Sequence, residues 1–517
     1  MSSTSLFCNK FGGINKLDSS FSSSKITASD MQNVELFNTG INSGVGIRTM
    51  KGNKLICSLL PAGEKIINIF ESVQQTKVYF FVHTESATEG KIYLFIPDSN
   101  ILTQKTNGLS VTGKSSAADF AQGWSDLFVF SNGENLLSIE IGKYNDSGVL
   151  QEVKTISVKD MDSRTVKGLG VVNFDNRLWI FNGNILWYSV QQNIYDFSTS
   201  ASTIVTSAGY IEFVKNITAI TSYLGSLAVF HKESSCLVEL DDDKAFYVSS
   251  ESPAGCASYN ALVFHGTELY FYDDTKKAMF SFNQTILGTK TIGDNMAVNL
   301  QEELCDINFS EIDKIRMLSV IQSDRNEFWF LVPTNSETYS TIFIFDYNNK
   351  EWVKRLCPKI SCVNIVNGIL YSGDSTGKIY QEYLGDDFHG TFVASSYTTS
   401  PLNLGVDNLL KILFVPPKIS LDLAYSNNFY IQYIKNYDTL GTTKIKNIVA
   451  TSLSNALYWD IGNFDTMYFA PEKTNQSYKL PSENFKTLEI KFYTQRATQE
   501  FCIKNIEFSD IKLKQLS

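Results

Sequence analysis

A hairpin core recurs seven times between residues 66 and 381, and a repeat of this length restricts the fold before any motif does. Each copy is an apolar strand, a polar turn and a second apolar strand. The first strands begin at Val78 (VYFFV), Leu127 (LFVF), Leu178 (LWIF), Leu227 (LAVF), Leu269 (LYFY), Phe328 (FWFLV) and Ile369 (ILY), 41 to 59 residues apart. The second strands follow at Ile92, Leu136, Ile185, Cys236, Ala278, Ile342 and Lys378. About ten residues upstream of most copies lies a further short apolar segment, as at Ile67 to Phe70, Gly168 to Phe174, Ile217 to Leu224 and Ala261 to Phe264.

Three or four strands per repeat at this period fit the four-stranded blade of a β-propeller. A helical solenoid would place apolar residues at i, i+3, i+4 and i+7. These runs are instead short, rich in aromatic and β-branched residues, and end at Gly, Asn, Asp or Ser. The expected fold is all-β: a propeller of about seven blades, with six or eight also fitting if an end repeat shares strands with a neighbour or with the N-terminal segment. Three units follow from the rhythm. Residues 1–54 read as an extended N-terminal arm, 55–385 as the propeller, and 386–517 as a C-terminal β-sandwich-like unit with strands at Lys411 to Val415, Asn428 to Ile434 and Thr487 to Tyr493. The arm contains a Ser-rich stretch, Ser19 to Ser24, but its apolar residues favour a strand laid over the main body. The segment DNMAVNLQEELCDIN is the best helical candidate, with Asp294 as its cap.

The net charge of −10, from 44 Lys+Arg against 54 Asp+Glu, opposes sequence-independent nucleic-acid binding, which relies on Lys and Arg at phosphates. It is compatible with DNA sliding past an acidic wall. No apolar run approaches about 18 residues, so no membrane span is expected, and the N-terminus lacks the pattern of a signal peptide. The eight cysteines form no C-x-x-C pair and read as buried, reduced residues of a protein assembled in a cytoplasm.

Chemistry-bearing spacings are sparse. His83, His231, His265 and His389 lie far apart and read as surface or satisfied polar residues. The acidic run Glu239, Asp241, Asp242 and Asp243 has calcium-type oxygens but falls in a blade turn. A sialidase-like glycosidase would carry Asp-box turns; the nearest match, SGDSTGKIY, has Ser372 and Asp374 in place but its glycine, Gly377, one residue late and no Thr-Trp after it. The seven arginines, at 48, 164, 177, 316, 325, 355 and 496, show no grouping along the chain. No catalytic, cofactor-binding or metal-binding residue is therefore assigned, no cofactor is expected, and the chain reads as a non-enzyme. A glycan-binding propeller is the rival, although the turns differ from copy to copy where equivalent sugar sites would repeat.

Several segments, in order, resemble one family. VVNFDNRLWIFNGNILWYSVQQNIYDF (171–197) is followed by ITAITSYLGSLAVF (217–230), AGCASYNALVFHGTELYFYDD (254–274), FIFDYNNKEWVKR (343–355) and LYSGDSTGKIYQEY (370–383). This succession is similar to the propeller-bearing tail hub, nozzle or stabilisation proteins of short-tailed bacteriophages, and the opening FGGIN resembles that family's N-terminal arm. The resemblance implies a virion structural protein of the tail. Its subunits would form a homo-oligomeric ring, taken as a hexamer, that contacts the portal or adaptor protein and tail fibres or other tail proteins. The ring would close the channel and touch packaged double-stranded DNA passively as part of its exit path. The arm, the 282–313 insertion and the C-terminal unit are the expected joints. The same motifs also have plain structural readings: Arg177 paired with a carboxylate such as Asp196, Gly183 and Gly377 in turns with positive φ, and Trp352 capping the aromatic core.

Overall fold

The computed structural model describes residues 4–8, 10–16, 25–39, 44–122, 125–142, 153–199, 207–240, 245–249, 251–284, 290–322, 324–402, 411–413, 417–422, 427–436, 444–450, 456–457, 468–469, 475–477 and 485–513. The Ser-rich stretch and Asp241 to Asp243 lie outside them.

Among the described residues, seven antiparallel sheets of four strands form a β-propeller. Their innermost strands are Lys65–Gln74, Ser116–Gln122, Leu169–Phe174, Ile217–Tyr223, Leu262–His265, Arg316–Ile321 and Cys362–Val366, which number the blades one to seven. Each blade runs outward through three further strands. The seventh takes its outermost strand, Asn53–Cys57, from the N-terminal side of the chain, with Leu55 opposite Tyr380 and Lys54 opposite Gln381. The ring is thus closed by hydrogen bonds between segments more than 320 residues apart.

The unbroken apolar runs follow from this packing. Successive side chains of a strand point to opposite faces, and both faces of a blade are covered by neighbours. Phe80 meets Tyr371 of the seventh blade (4.9 Å between centroids), whereas Phe81 stacks on Phe128 of the second at 4.4 Å. In the fifth blade Phe271 faces Phe230 of the fourth, and Tyr272 faces Phe330 of the sixth. Each such ring removes 150–250 Å² from water, typically worth about 2–3 kcal/mol.

The two ends of the chain, read in the sequence as separate units, fold together. One sheet combines Thr4–Cys8, Val34–Asn38 and Val45–Thr49 with Lys411–Leu413, Lys418–Leu421, Asn475–Ser477 and Cys502–Leu513. The other combines Phe11–Ile14 and Ile26–Gln32 with Ser396–Thr399, Asn427–Lys435, Lys444–Ala450 and Leu488–Tyr493. The Tyr397 hydroxyl, buried between arm strands, lies 3.0 Å from the Gly12 carbonyl and 2.9 Å from that of Ile26. The FGGIN motif has its cause here: the arm crosses the outer strand of the sixth blade so closely that a Cβ on Gly13 would overlap the Trp352 carbonyl. Lys16 of the arm and Lys354 of that blade share Glu303, at 3.2 and 3.0 Å.

The helical candidate is much shorter than its sequence suggests, a 3-10 turn at Val298–Leu300 running into one helical turn, Gln301–Leu304. Asp294 does not cap it. Asn295 does the local work, its Oδ1 accepting from the Ala297 and Met279 amides. Among the described residues no helix is long and apolar enough to cross a membrane.

Candidate functional site

In a propeller whose strands run outward in order, the turns between first and second strands all lie on one face. Here successive turns touch around much of the inner rim. Tyr223 and Phe264 approach at 6.3 Å, joining blades four and five. His265 is within 2.9 Å of both Ser319 Oγ and Asn326 Oδ1 of the sixth. Gln322 Nε2 donates to the Gly368 carbonyl (2.7 Å), and the Asn367 amide donates to Glu71 (2.6 Å), continuing through the seventh blade to the first. Along this arc stand Leu224, Phe264, Ile321, Ile369, Val73 and Val78, all exposed, with Ile321 at 62%.

Leu224 is the least expected of these. It occupies the first position of a tight turn with φ of 44°, followed by Gly225 at 79°. Asn or Gly suits that position, because a Cβ is crowded in the left-handed region at a cost of about 1–2 kcal/mol. The side chain is 46% exposed, so only part of its apolar surface is covered within this chain. Such outliers concentrate where function needs them.

Beside the sixth- and seventh-blade turns, on the same face, a cleft of about 440 Å³ separates the propeller from the sandwich. Its wall is charged. Arg48 Nε and Arg325 Nη1 both donate to Glu35, at 2.6 and 2.9 Å. The Arg325 guanidinium lies 3.4 Å from the centre of the Tyr383 ring, and the Tyr383 hydroxyl donates to Glu327 Oε1 at 2.5 Å, which also accepts from Trp329 Nε1. Arg355, fully buried, lies 5.2 Å from the centre of the Tyr383 ring and donates to Glu382 at 2.5 Å and to the Lys51 carbonyl at 2.9 Å. Glu382 also accepts from Asn53 and Ser372. Tyr383 has φ of 59°, so it too lies in the left-handed region, as do several other non-glycine residues among the described ones.

Burial raises the Glu327 pKa above the usual carboxylate range despite Arg325 and two hydrogen bonds. Burial and the Glu327 charge push the Tyr383 phenol well up. For Arg325, burial opposes the charge, but Tyr383, Glu35 and Glu327 outweigh it and hold the pKa above the ordinary arginine value. Three arginines that show no grouping in the sequence are therefore linked in space, Arg325 and Arg355 against the Tyr383 ring and Arg48 joined to Arg325 through Glu35. A tyrosine hydrogen-bonded to a carboxylate beside arginines has the parts of a tyrosine-nucleophile glycosidase. In this cleft Arg48 and Arg325 already hold Glu35, and Arg355 holds Glu382, so the guanidiniums clamp the chain's own carboxylates.

His83, His231 and His265 are buried and His389 is half-buried, so they match the satisfied polar reading rather than the surface one. His83 sits against Phe130 with Nδ1 3.1 Å from Ser115 Oγ; burial lowers its pKa to about 3. His231 lies 3.0 Å from the Asn216 carbonyl, and His389 stacks on Tyr380 at 3.8 Å. Arg177 pairs with Asp175 (3.3 Å) and donates to the Ser189 and Ser207 carbonyls, whereas Asp196 caps the following turn through the Ser198 and Thr199 amides. Gly183 and Gly377 do adopt positive φ, at 59° and 81°. Asp374 builds its turn by accepting from the Thr376 and Lys378 amides, a role that Asp273 repeats with Thr275 and Lys276 in the fifth blade. Trp352 packs on Phe328 and Phe345 and donates to the Met296 carbonyl. Glu239 accepts from Ser226 and Tyr247. Among the described residues no three His, Cys, Asp or Glu side chains gather at metal-binding distance. The cysteines are free, and all but Cys305 are buried; burial drives the Cys256 thiol up to about 12.

No protein-family model matches the chain, and no curated protein matches it. Solved structures do. One is a catalytically inactive variant of virginiamycin B lyase from Staphylococcus aureus with quinupristin, 11% identical, covering 65% of this chain and 98% of that one with a TM-score of 0.39. The N-terminal domain of Nup159 is 13% identical, covering 68% and 97%, with a TM-score of 0.38. A third is the computationally designed Ika8 protein, 11% identical, covering 64% and 100%, with a TM-score of 0.34.

Proposed function

We propose that this chain is a structural subunit of a short-tailed bacteriophage tail, one of a ring of identical copies that closes the channel below the portal and adaptor and then serves as part of the DNA exit path. The observation that carries the assembly reading is the apolar arc at the propeller rim. Leu224, Phe264, Ile321, Ile369, Val73 and Val78 are exposed on adjacent turns, and contiguous apolar surface of this kind marks protein–protein contact. The Leu224 turn argues the same way, since an apolar side chain in the left-handed region is left 46% exposed. The order of degenerate motifs from 171 to 383 directs the reading to a phage tail. Ring closure needs a heterologous contact, in which the rim of one copy meets a different surface of the next. The work is mechanical: a rigid closed propeller forms the wall, and the net charge of −10 keeps DNA phosphates from adhering.

Replacing Leu224 and Ile321 together by asparagine tests this. Asparagine tolerates the left-handed turn, so the subunit is expected to gain about 0.5–1 kcal/mol in urea unfolding from position 224. Self-association, followed by sedimentation velocity, is expected to weaken at least tenfold. Association unchanged from the parent chain, or lost only together with fold stability, would overturn the rim as the contact.

A further inference from the structure

We infer that the opposite face of the propeller carries a binding site for a carboxylate borne on an apolar stem, with Arg316 as its anion-holding residue. A cavity of about 400 Å³ lies there above the inner strand of the seventh blade, between the first and sixth blades. Its walls include Ile67, Val111, Leu331, Val332, Pro333 and Ile360, a largely apolar surround. Arg316 lines it as well and is only 5% exposed. Its Nη1 donates to the Asp313 and Ile315 carbonyls, both at 2.8 Å, while its buried Nε has no acceptor.

Buried guanidinium groups are ordinarily matched by a carboxylate, because an uncompensated charge is expensive to desolvate. Among the described residues none lies within ion-pair distance of Arg316. The nearby acids are committed elsewhere: Asp313 to Lys114 (2.6 Å), Glu311 to Lys314 (2.5 Å), and Glu85 to the Thr112 and Gly113 amides. Lys65 and Lys359 also line the cavity, and the Lys359 ammonium donates to the Ser336 carbonyl. The local balance is cationic in a chain whose net charge is −10. A guanidinium holds a planar carboxylate by paired hydrogen bonds, and the apolar walls accept the stem attached to it. Inorganic anions supply the charge but leave those walls unfilled. Two sources offer this chemistry, a free aliphatic acid and the C-terminal carboxylate of a polypeptide ending in an apolar residue.

Titration calorimetry of the full chain with octanoate, with a hexapeptide ending in leucine, with the same peptide amidated, with octanol and with inorganic phosphate separates these cases. Binding of octanoate or of the free peptide, at least tenfold tighter than octanol, the amide and phosphate, supports the site, and the tighter of the two names the source. Arg316→Lys is expected to weaken it several-fold and Arg316→Met to abolish it. Should Arg316→Met fail to fold, Val111→Asp, at an exposed position on the wall, is expected to weaken binding at least tenfold with the fold intact. Failure of both acids to bind, phosphate binding equally well, or binding that survives both Arg316→Met and Val111→Asp would overturn the assignment.

Discussion

Arg355→Met is expected to lower the unfolding free energy by about 3–5 kcal/mol, the usual cost of leaving one half of a buried ion pair without its partner. Arg355 and Glu382 are both buried and lie 2.5 Å apart. The same guanidinium accounts for the Lys51 carbonyl, next to the strand that closes the ring. Asn53, the first residue of that strand, donates to Glu382 in turn. Removing the cation therefore strands a carboxylate and loosens the closing strand together. Urea titration reads the global loss. Hydrogen exchange at residues 53–57 is expected to accelerate more than exchange in the third blade, which lies across the ring. A double variant, Arg355→Met with Glu382→Gln, removes the stranded charge and is expected to recover part of the stability. Equal acceleration in all blades, or no recovery in the double variant, would locate the effect elsewhere.

The second large effect is acid lability centred on His83. Burial lowers its folded pKa to about 3 although Glu85 lies 3.8 Å away, whereas an unfolded histidine titrates near about 6.5. Between these values the unfolded chain binds the extra proton and the folded chain does not, so stability rises with pH across the window. The stability is fully present above about 6.5 and lost as pH falls toward 3. One proton corresponds to a slope of at most about 1.4 kcal/mol per pH unit, or about 2 kcal/mol lost by pH 5. His231, His265 and His389 are lowered by burial too and add to the slope. Glu327 and Asp119, raised chiefly by burial, act in the opposite sense as pH falls. For this reason the test is a difference. Urea unfolding at several pH values is expected to show the His83→Gln slope flatter than that of the parent chain by about one proton between pH 6.5 and 3. Parallel curves would show that His83 does not hold its neutral form.

What is legible in the sequence is what is local. VYFFV carries its strand, its alternation and its two covered faces within five residues, so apolar runs and turn residues place the blades. The pairing of Asn53–Cys57 with Ile379–Glu382 leaves no such trace. Either strand reads as an ordinary apolar-polar segment, and only closure of the ring brings them together. The sandwich divides into two units in the sequence for the same reason, since Ala28 and Thr399 are neighbours in register yet lie at opposite ends of the chain. Arg48, Arg325 and Arg355 are ungrouped along the chain because the cluster is made by that long-range pairing. The rim is partly readable. Leu224 precedes Gly225 between two apolar strands, where an asparagine or glycine would be ordinary, so a leucine in such a turn is a signal carried by the local sequence alone.

Direct imaging of the purified 517-residue chain by electron cryomicroscopy, over a concentration series, bears most directly on the reading of the chain as a tail ring subunit. Closed rings of identical copies around a continuous axial channel are expected, with the Leu224 to Val78 rim in the contact between neighbours. Single propellers at every concentration, with the rim free and a glycan bound at the blade turns, would contradict it.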